Sequence, residues 1–536
     1  MGETNNMGVP QAITAETKAG STVDHVDSQG AAVVLSSEVN STRVWNPLLI
    51  MSCVSFGAAS MLFGYDDKVV SPVAAMETFV EKFQGHPNSA GALALTARNQ
   101  NLVFCVPLVG AIVGAAAAAP LTTRYGRKLV VIGAYVLSLG GTFLQAFAPT
   151  MAAFVIGRFW NGIMIALGST VSYLYLSEIV PARYRGMAVT SSNIFNLVSG
   201  VISTVICNAT HQQNGASSYR IPLALQAVAP AILIPITFCM PESPLWLLTR
   251  GRETEARHSL RSVRAYDDTL VDDELRVMKA AYDAEQALSS GVKFWDLFKR
   301  GNIQRTLVAG SMYSVNQCSG IILSSTYATI FLTALGVGNP FQLTIAASCC
   351  VLAGTLVAPL LVDRVGRRPL AIVGMSVLLV IDITAGTLAF YTDKPHVPIA
   401  IAALSFIFNG FWAASFYALS VTLPTEIPRP ELRNMTTSYT LACAYTTAVI
   451  TTFAVPQLVS ADAANLGAKT YLVFGGIVAF ILAFYYMLLP ETAGRTFAEI
   501  NELYERGIPP RSWKGTQTST ENQQAKVVEK GALSHA

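Results

Sequence analysis

Charge is what this chain has least of. Asp, Glu, Lys and Arg make up 13% of its 536 residues and hydrophobic residues 52%; a soluble domain carries about a quarter charged residues. That balance excludes an ordinary water-soluble fold and points to a chain dissolved in lipid. Histidine is scarcer still. All six (His25, His86, His211, His258, His396 and His535) fall in tails or between apolar runs, so no imidazole relay crosses those runs. The eight cysteines (53, 105, 207, 239, 318, 349, 350 and 443) sit inside apolar runs with no metal or redox spacing. They read as small buried hydrophobes. The apolar runs also lack a nucleophile–base set, a metal cluster and a phosphate loop. An enzyme, a cofactor and a nucleic-acid partner are therefore not expected.

What is abundant is long apolar sequence. A helix needs about 20 apolar residues to cross the hydrocarbon core. Twelve runs qualify, near 47–70, 99–121, 129–147, 151–176, 187–208, 221–240, 304–330, 341–361, 369–391, 397–423, 435–456 and 470–489. The fold class expected is an all-α membrane protein of twelve transmembrane helices. Residues 1–44 and the stretch from about 508 are polar and are expected to be unstructured tails. The charged break at 241–303 contains RETEARHSLRSV, whose Ala256, Leu260 and Val263 share one helical face suited to a membrane surface. With the N-terminus inside, inner loops hold 21 basic residues and outer loops five. Both termini are thus expected in the cytosol.

The chain repeats itself at long range. TRYGRK at 123–128 returns as DRVGRR at 363–368, EIVPARYR at 178–185 as EIPRPELR at 426–433, and PESP at 241 as PETA at 490. The offsets are 240, 248 and 249, and each pair falls at the same point of a six-span half. Two six-helix bundles related by pseudo-symmetry follow, with a solute site between them near the midplane. The boundaries expected are a tail (1–44), a first bundle (45–240), a linker (241–303), a second bundle (304–490) and a tail (491–536).

FGYD (63–66), GR (157–158), SEIVPARYRG (177–186), PESPLWLLTRGRETEA (241–256), VDRVGRRP (362–369) and PETAGRTFAEINELYERG (490–507) resemble the sugar porter family of the major facilitator superfamily. EIPRPELRNMTTS and the 490–507 ending look most like its fungal α-glucoside permease branch. The resemblance implies a secondary-active transporter, proton-coupled, with a small solute, protons and the lipid bilayer as partners. It also implies a monomer in the plasma membrane.

Roles follow by the same resemblance. Asp66 matches the acid that carries the proton, and Arg158 matches its partner. Arg158 lies seven residues inside span 4, about 10 Å along a helix, at a depth Asp66 can share. Burial favours a neutral carboxyl and a guanidinium favours the carboxylate, so moving the arginine would switch proton affinity. Glu178, Arg185, Arg124, Arg127, Asp363, Arg364, Arg367, Glu426 and Arg433 match a salt-bridge clamp on the cytosolic side. Thr123 stands where the family has Asp, which removes one anchor. Asp67 and Lys68 depart from the pattern and are expected to pair at the outer mouth. Asp382 in span 9 has no counterpart; snorkelling, a hydroxyl hydrogen bond and a second proton site are open alternatives.

The pocket departs further. Family members that take hexoses carry amides where this chain has Ile194, Ile322 and Val351, and Gly-Pro and Trp where it has Tyr417, Ala418 and Val421. Asn316, Gln317, Trp412 and Tyr445 remain, with Asn193 and Asn196 as added amides. Without Gly-Pro, span 10 is expected to be more continuous unless Gly410 bends it. The solute expected is sugar-like or a polyol. The alternative is a less polar organic acid or secondary metabolite, moved by an exporter. Asn208-Ala-Thr is the expected glycan acceptor, while the Asn40 and Asn434 sequons face the cytosol.

Overall fold

A computed structural model describes residues 46–87, 93–264, 268–289, 292–516 and 518. The expected N-terminal tail with Asn40, most of the final tail, and the side chains of Arg183, Asp363, Ala418 and Val421 lie outside the described residues. Among the described residues, eleven helices are long and apolar enough to span a membrane. They run 47–75 (span 1), 97–125 (2), 127–146 (3), 151–179 (4), 184–210 (5), 217–239 (6), 340–362 (8), 367–391 (9), 397–426 (10), 433–459 (11) and 467–488 (12).

Span 7 is the departure. The run expected at 304–330 is a helix over Ile303–Cys318, a turn at Ser319–Gly320, a π-helical turn over Ile322–Thr326 and a short helix over Ala328–Leu335. Gly320 has φ +89°, which only glycine adopts at little cost. Hydrophobicity gives a span's position but carries no register, so this interruption was invisible to it. Broken spans of this kind border transporter sites. Span 10 runs as one helix over 397–426 with a π-helical turn over Ala413–Tyr417, where a more continuous helix is expected unless Gly410 bends it. π-turns of this type collect at functional sites.

Spans 1–6 and 7–12 form the two bundles. At the end that carries the linker, each half is tied by the same device. Gly126 and Gly366 (φ +89° and +93°) turn the chain into spans 3 and 9. The Glu242 carboxylate accepts the N–H groups of Arg127 and Lys128 at 3.0 and 3.2 Å. Glu491 accepts those of Arg367 and Arg368 at 3.0 and 3.2 Å. A carboxylate thus sits on each helix N-terminus, where the dipole favours it. Burial pushes the Glu242 carboxyl up, opposed by N–H groups of Ser243, Lys128 and Arg127.

Bonds between the halves cluster at the far end. Ala97 N donates to Asp462 Oδ2 at 2.9 Å, Gln100 Nε2 to Ser460 Oγ at 3.3 Å, and Thr329 N to Ser71 Oγ at 3.2 Å. Phe104 meets Tyr327 and His211 meets Phe341, each with ring centroids 4.2 Å apart. The halves are closed together there.

The linker helices Pro244–Thr249 and Glu253–Val263 ride on the first half. Asn46 Nδ2 donates to Ser262 O at 3.0 Å, and Arg264 Nη1 to Ile179 O at 2.9 Å. Ala256, Leu260 and Val263 are fully buried in the core of the first bundle, so their shared face covers protein and not lipid. At the other end, Thr496 and Glu499 cap a helix over Phe497–Glu505, and Trp513 buries beside Ile500 and Leu503. Structure therefore extends past 508, because one large aromatic supplies a local core that composition alone hides.

Candidate functional site

Asp66 is buried in span 1. Its Oδ1 accepts Arg158 Nη1 at 2.5 Å, Gln226 Nε2 at 2.7 Å and Asn161 Nδ2 at 3.1 Å. Arg158 also donates from Nε to Val103 O at 3.4 Å. Gln226 reaches the acid because span 6 turns at Gln226–Ala227 between its two helical segments. All three donors meet one oxygen. No donor among the described residues reaches Oδ2, and Asp66 lines a central cavity of about 230 Å³.

That cavity lies between the halves. Asn316, Gln317 and Trp412 line it, as does Asn196. Asn193 and Tyr445 are not among its lining residues. Asn193 Oδ1 accepts the Tyr173 hydroxyl at 3.5 Å, so the face of span 5 turned to the cavity is one helical turn farther along. Tyr445 belongs to a group of four phenols with Tyr173, Tyr313 and Tyr417, of which Tyr417 lines the cavity. Apolar wall comes from Phe63, Leu108, Ile165, Leu197, Ile322 and Val351.

Asp67 and Lys68 do pair, at 2.9 Å, but they line the cavity and not an outer mouth. Lys68 Nζ also donates to Ser325 Oγ at 2.7 Å, joining span 1 to the π-helical turn of span 7. The far end is closed, and that closure brings these residues indoors.

The clamp residues divide. Arg127 holds Glu178 through Nη2 at 2.7 Å and Nε at 3.0 Å, and Ser243 Oγ donates to Glu178 at 2.5 Å. Arg367 reaches Glu426 at 3.2 Å, and Thr492 Oγ1 donates to it at 2.6 Å. Arg124 stands over the Tyr125 ring at 5.3 Å and Arg433 over Phe497 at 4.2 Å. Arg124, Arg185, Arg364 and Arg433 are in no ion pair among the described residues. Both ion pairs are internal to a half, because the halves touch at the far end. Asn208 lies in the last turn of span 5 with Oδ1 buried.

Residues 50–504 match the family described as Sugar (and other) transporter. The chain belongs to the sugar porter family of the major facilitator superfamily. It is 30% identical over 480 residues to the major facilitator-type transporter ecdD of Aspergillus rugulosus, covering 86% of this chain and 88% of that one. It is 31% identical over 466 residues to a general α-glucoside permease of Saccharomyces cerevisiae, covering 84% and 74%. The inward-open conformation of the xylose transporter XylE from E. coli superposes with a TM-score of 0.71 at 22% identity, covering 85% of this chain and 99% of that chain. That last likeness shows the fold alone.

Within this family fold, four features lay beyond sequence reasoning. Asn161 and Gln226 are lone amides in spans, and such amides ordinarily bond helix to helix. Asn161 did carry a signal, standing three residues after Arg158 on the same face. The PESP–PETA repeat pointed at Glu242 and Glu491 but not at the N–H groups they cap. Tyr173 and Tyr313 gave no signal, because aromatics in apolar runs are core by default.

Proposed function

We propose that this chain is a proton-coupled secondary-active transporter of a small sugar-like or polyol solute, acting in the plasma membrane with both tails and the linker in the cytosol. On that orientation the closed far end is extracellular and the conformation is inward-facing. The observation that carries the coupling is Asp66. Three donors hold one oxygen, while the other is without a donor on a carboxyl that lines the cavity. A carboxylate so placed takes a proton without surrendering its partners. Withdrawal of Arg158 as the halves rock removes the positive charge and favours the acid form. Asn316, Gln317 and Asn196 supply amides for hydroxyl groups, and Trp412 supplies an aromatic platform. The named α-glucoside permease supports a glycoside as the solute class.

The test is uptake of labelled maltose, glucose and quinate in a transporter-deficient yeast, with and without a protonophore. Accumulation of maltose or glucose that collapses with protonophore is the expected outcome. Accumulation that persists in Asp66→Asn would sink the assignment. A second reading, export of a less polar organic acid or secondary metabolite, draws on the apolar wall and on the Lys68 ammonium beside it. Transport of quinate without either sugar would favour it.

A further inference from the structure

The proton site of the first half has a counterpart in the second, and that counterpart contains an acid. Lys68–Ser325 and Ser71–Thr329 bond across the pseudo-twofold axis at separations of 257 and 258. The larger separation places Ser324 opposite Asp66. Asn161 plus 248, the Glu178–Glu426 offset, is Asn409, and Gly162 and Gly410 follow both. The bond between these positions is repeated: Asn161 donates to Asp66, and Ser324 Oγ donates to Asn409 Oδ1 at 2.8 Å. By the same offset Arg158 becomes Phe406, and by 249, the Glu242–Glu491 offset, Gln226 becomes Gly475. The basic residue and the second amide are therefore gone.

The carboxyl arrives instead from span 9. Asp382, where the first half has Thr142 at an offset of 240, is 0% exposed, and neither carboxyl oxygen has a hydrogen-bond partner among the described residues. A Cβ built on Gly475 would lie 3.4 Å from Asp382 Cβ, so the acid uses the room left by the absent amide. A Cβ on Gly320, the turn that breaks span 7, would lie 3.6 Å from Asp382 Oδ1. Zero exposure excludes snorkelling, and the missing donors exclude a hydroxyl hydrogen bond in this conformation. A carboxylate with neither donor nor counter-ion among the described residues is not sustained in such a place, whereas the neutral acid is.

Surrounding groups leave the acid isolated. Span 12 brings the Tyr471 phenol, which bonds Ser405 Oγ at 2.8 Å and faces Asp382 and Ser324. Lys469 lies outward, 4.7 Å from the Phe390 ring and two turns beyond Asp382. Tyr417 stands on the cavity wall and Tyr485 beside Ser311. Cys318 precedes the span 7 turn.

We propose that Asp382 is a second proton-binding site, the C-terminal half's equivalent of the Asp66 site, neutral while the far end is closed and exposed when the Gly320 turn moves. On exposure the carboxyl O–H bond breaks, its electron pair stays on the carboxylate and the proton passes to water; closure reverses the step. The inference rests on the chain being a transporter but not on Asp66 carrying a proton.

Infrared difference spectra of the purified full-length protein in lipid vesicles, titrated from about pH 5 to about pH 10, test it. A protonated carboxyl gives a C=O stretch of its own. One titrating band should vanish in Asp382→Asn and in Asp382→Thr, which restores the first half's residue and guards against a misfolded Asn variant. That band should persist in Asp66→Asn, so failure of the Asp66 reading would be separately visible. If both Asp382 variants keep every titrating band, or lose only one that is unchanged across the pH range, the proposal is overturned.

Discussion

In the first half, Arg127 grips Glu178 through two nitrogens with a serine beside them; in the second, Arg367 touches Glu426 through one, with a threonine beside it. At the same depth in both halves a glutamate caps the next helix. At the midplane this likeness ends. The first half has an acid, an arginine and two amides bonded as a unit; the second has a serine–asparagine bond and an acid with no hydrogen-bond partner among the described residues. Duplication has kept the residues that tie helix ends together and has let the ones beside the cavity drift apart.

The comparison breaks most sharply at Asp66. Asp66→Asn should reduce the accumulation ratio of the transported sugar to one, whereas Ser324→Ala, its opposite number, should still concentrate solute; yeast uptake reads both. Next come the clamps. Glu178 is largely buried and held twice, so Glu178→Gln should cost about 3 kcal/mol. Glu426 is 23% exposed, and Glu426→Gln should cost about 1 kcal/mol. Thermal unfolding in detergent followed by tryptophan fluorescence measures both, and equal losses would show that geometry does not distinguish the halves.

Smaller effects sharpen the same contrast. Gly126→Ala and Gly366→Ala put a side chain into backbone reserved for glycine, at about 2 kcal/mol each. The first should cost more, because its Cβ would lie 2.5 Å from Glu242 Oε2 against 2.9 Å from Glu491 Oε2 in the second. Least of all, Thr123→Asp should shift the inward/outward balance by about 0.5 kcal/mol, read from spin-label distances across the far end. Thr123 already anchors the linker through its carbonyl, which accepts Trp246 Nε1 at 3.1 Å and an Arg250 nitrogen.

Lone charges in lipid are expensive, which is why Asp66 and Arg158 stood out in the sequence and why the structure brings them together. The repeat announced the two bundles for the same kind of reason: glycine turns and capping carboxylates admit few substitutes. Cavity walls obey no such rule. One turn of span 5 separates Asn193 from Asn196, and hydropathy is blind to that step along the helix. Span 7 gives a continuous apolar run because leucine and isoleucine look alike in a helix, a π-turn and a broken segment.

The unbonded oxygen of Asp66 also bears on how steep a gradient the carrier can build. If Asp66 carries the proton as proposed, its one open oxygen admits one proton per transport cycle. A single charge crossing 100 mV yields about 2.3 kcal/mol, and each 1.4 kcal/mol is a factor of ten. A neutral solute would then be concentrated at most about fifty-fold by that voltage. A second carboxyl delivering its own proton in each cycle would square the figure, so a measured accumulation ratio counts protons without seeing one.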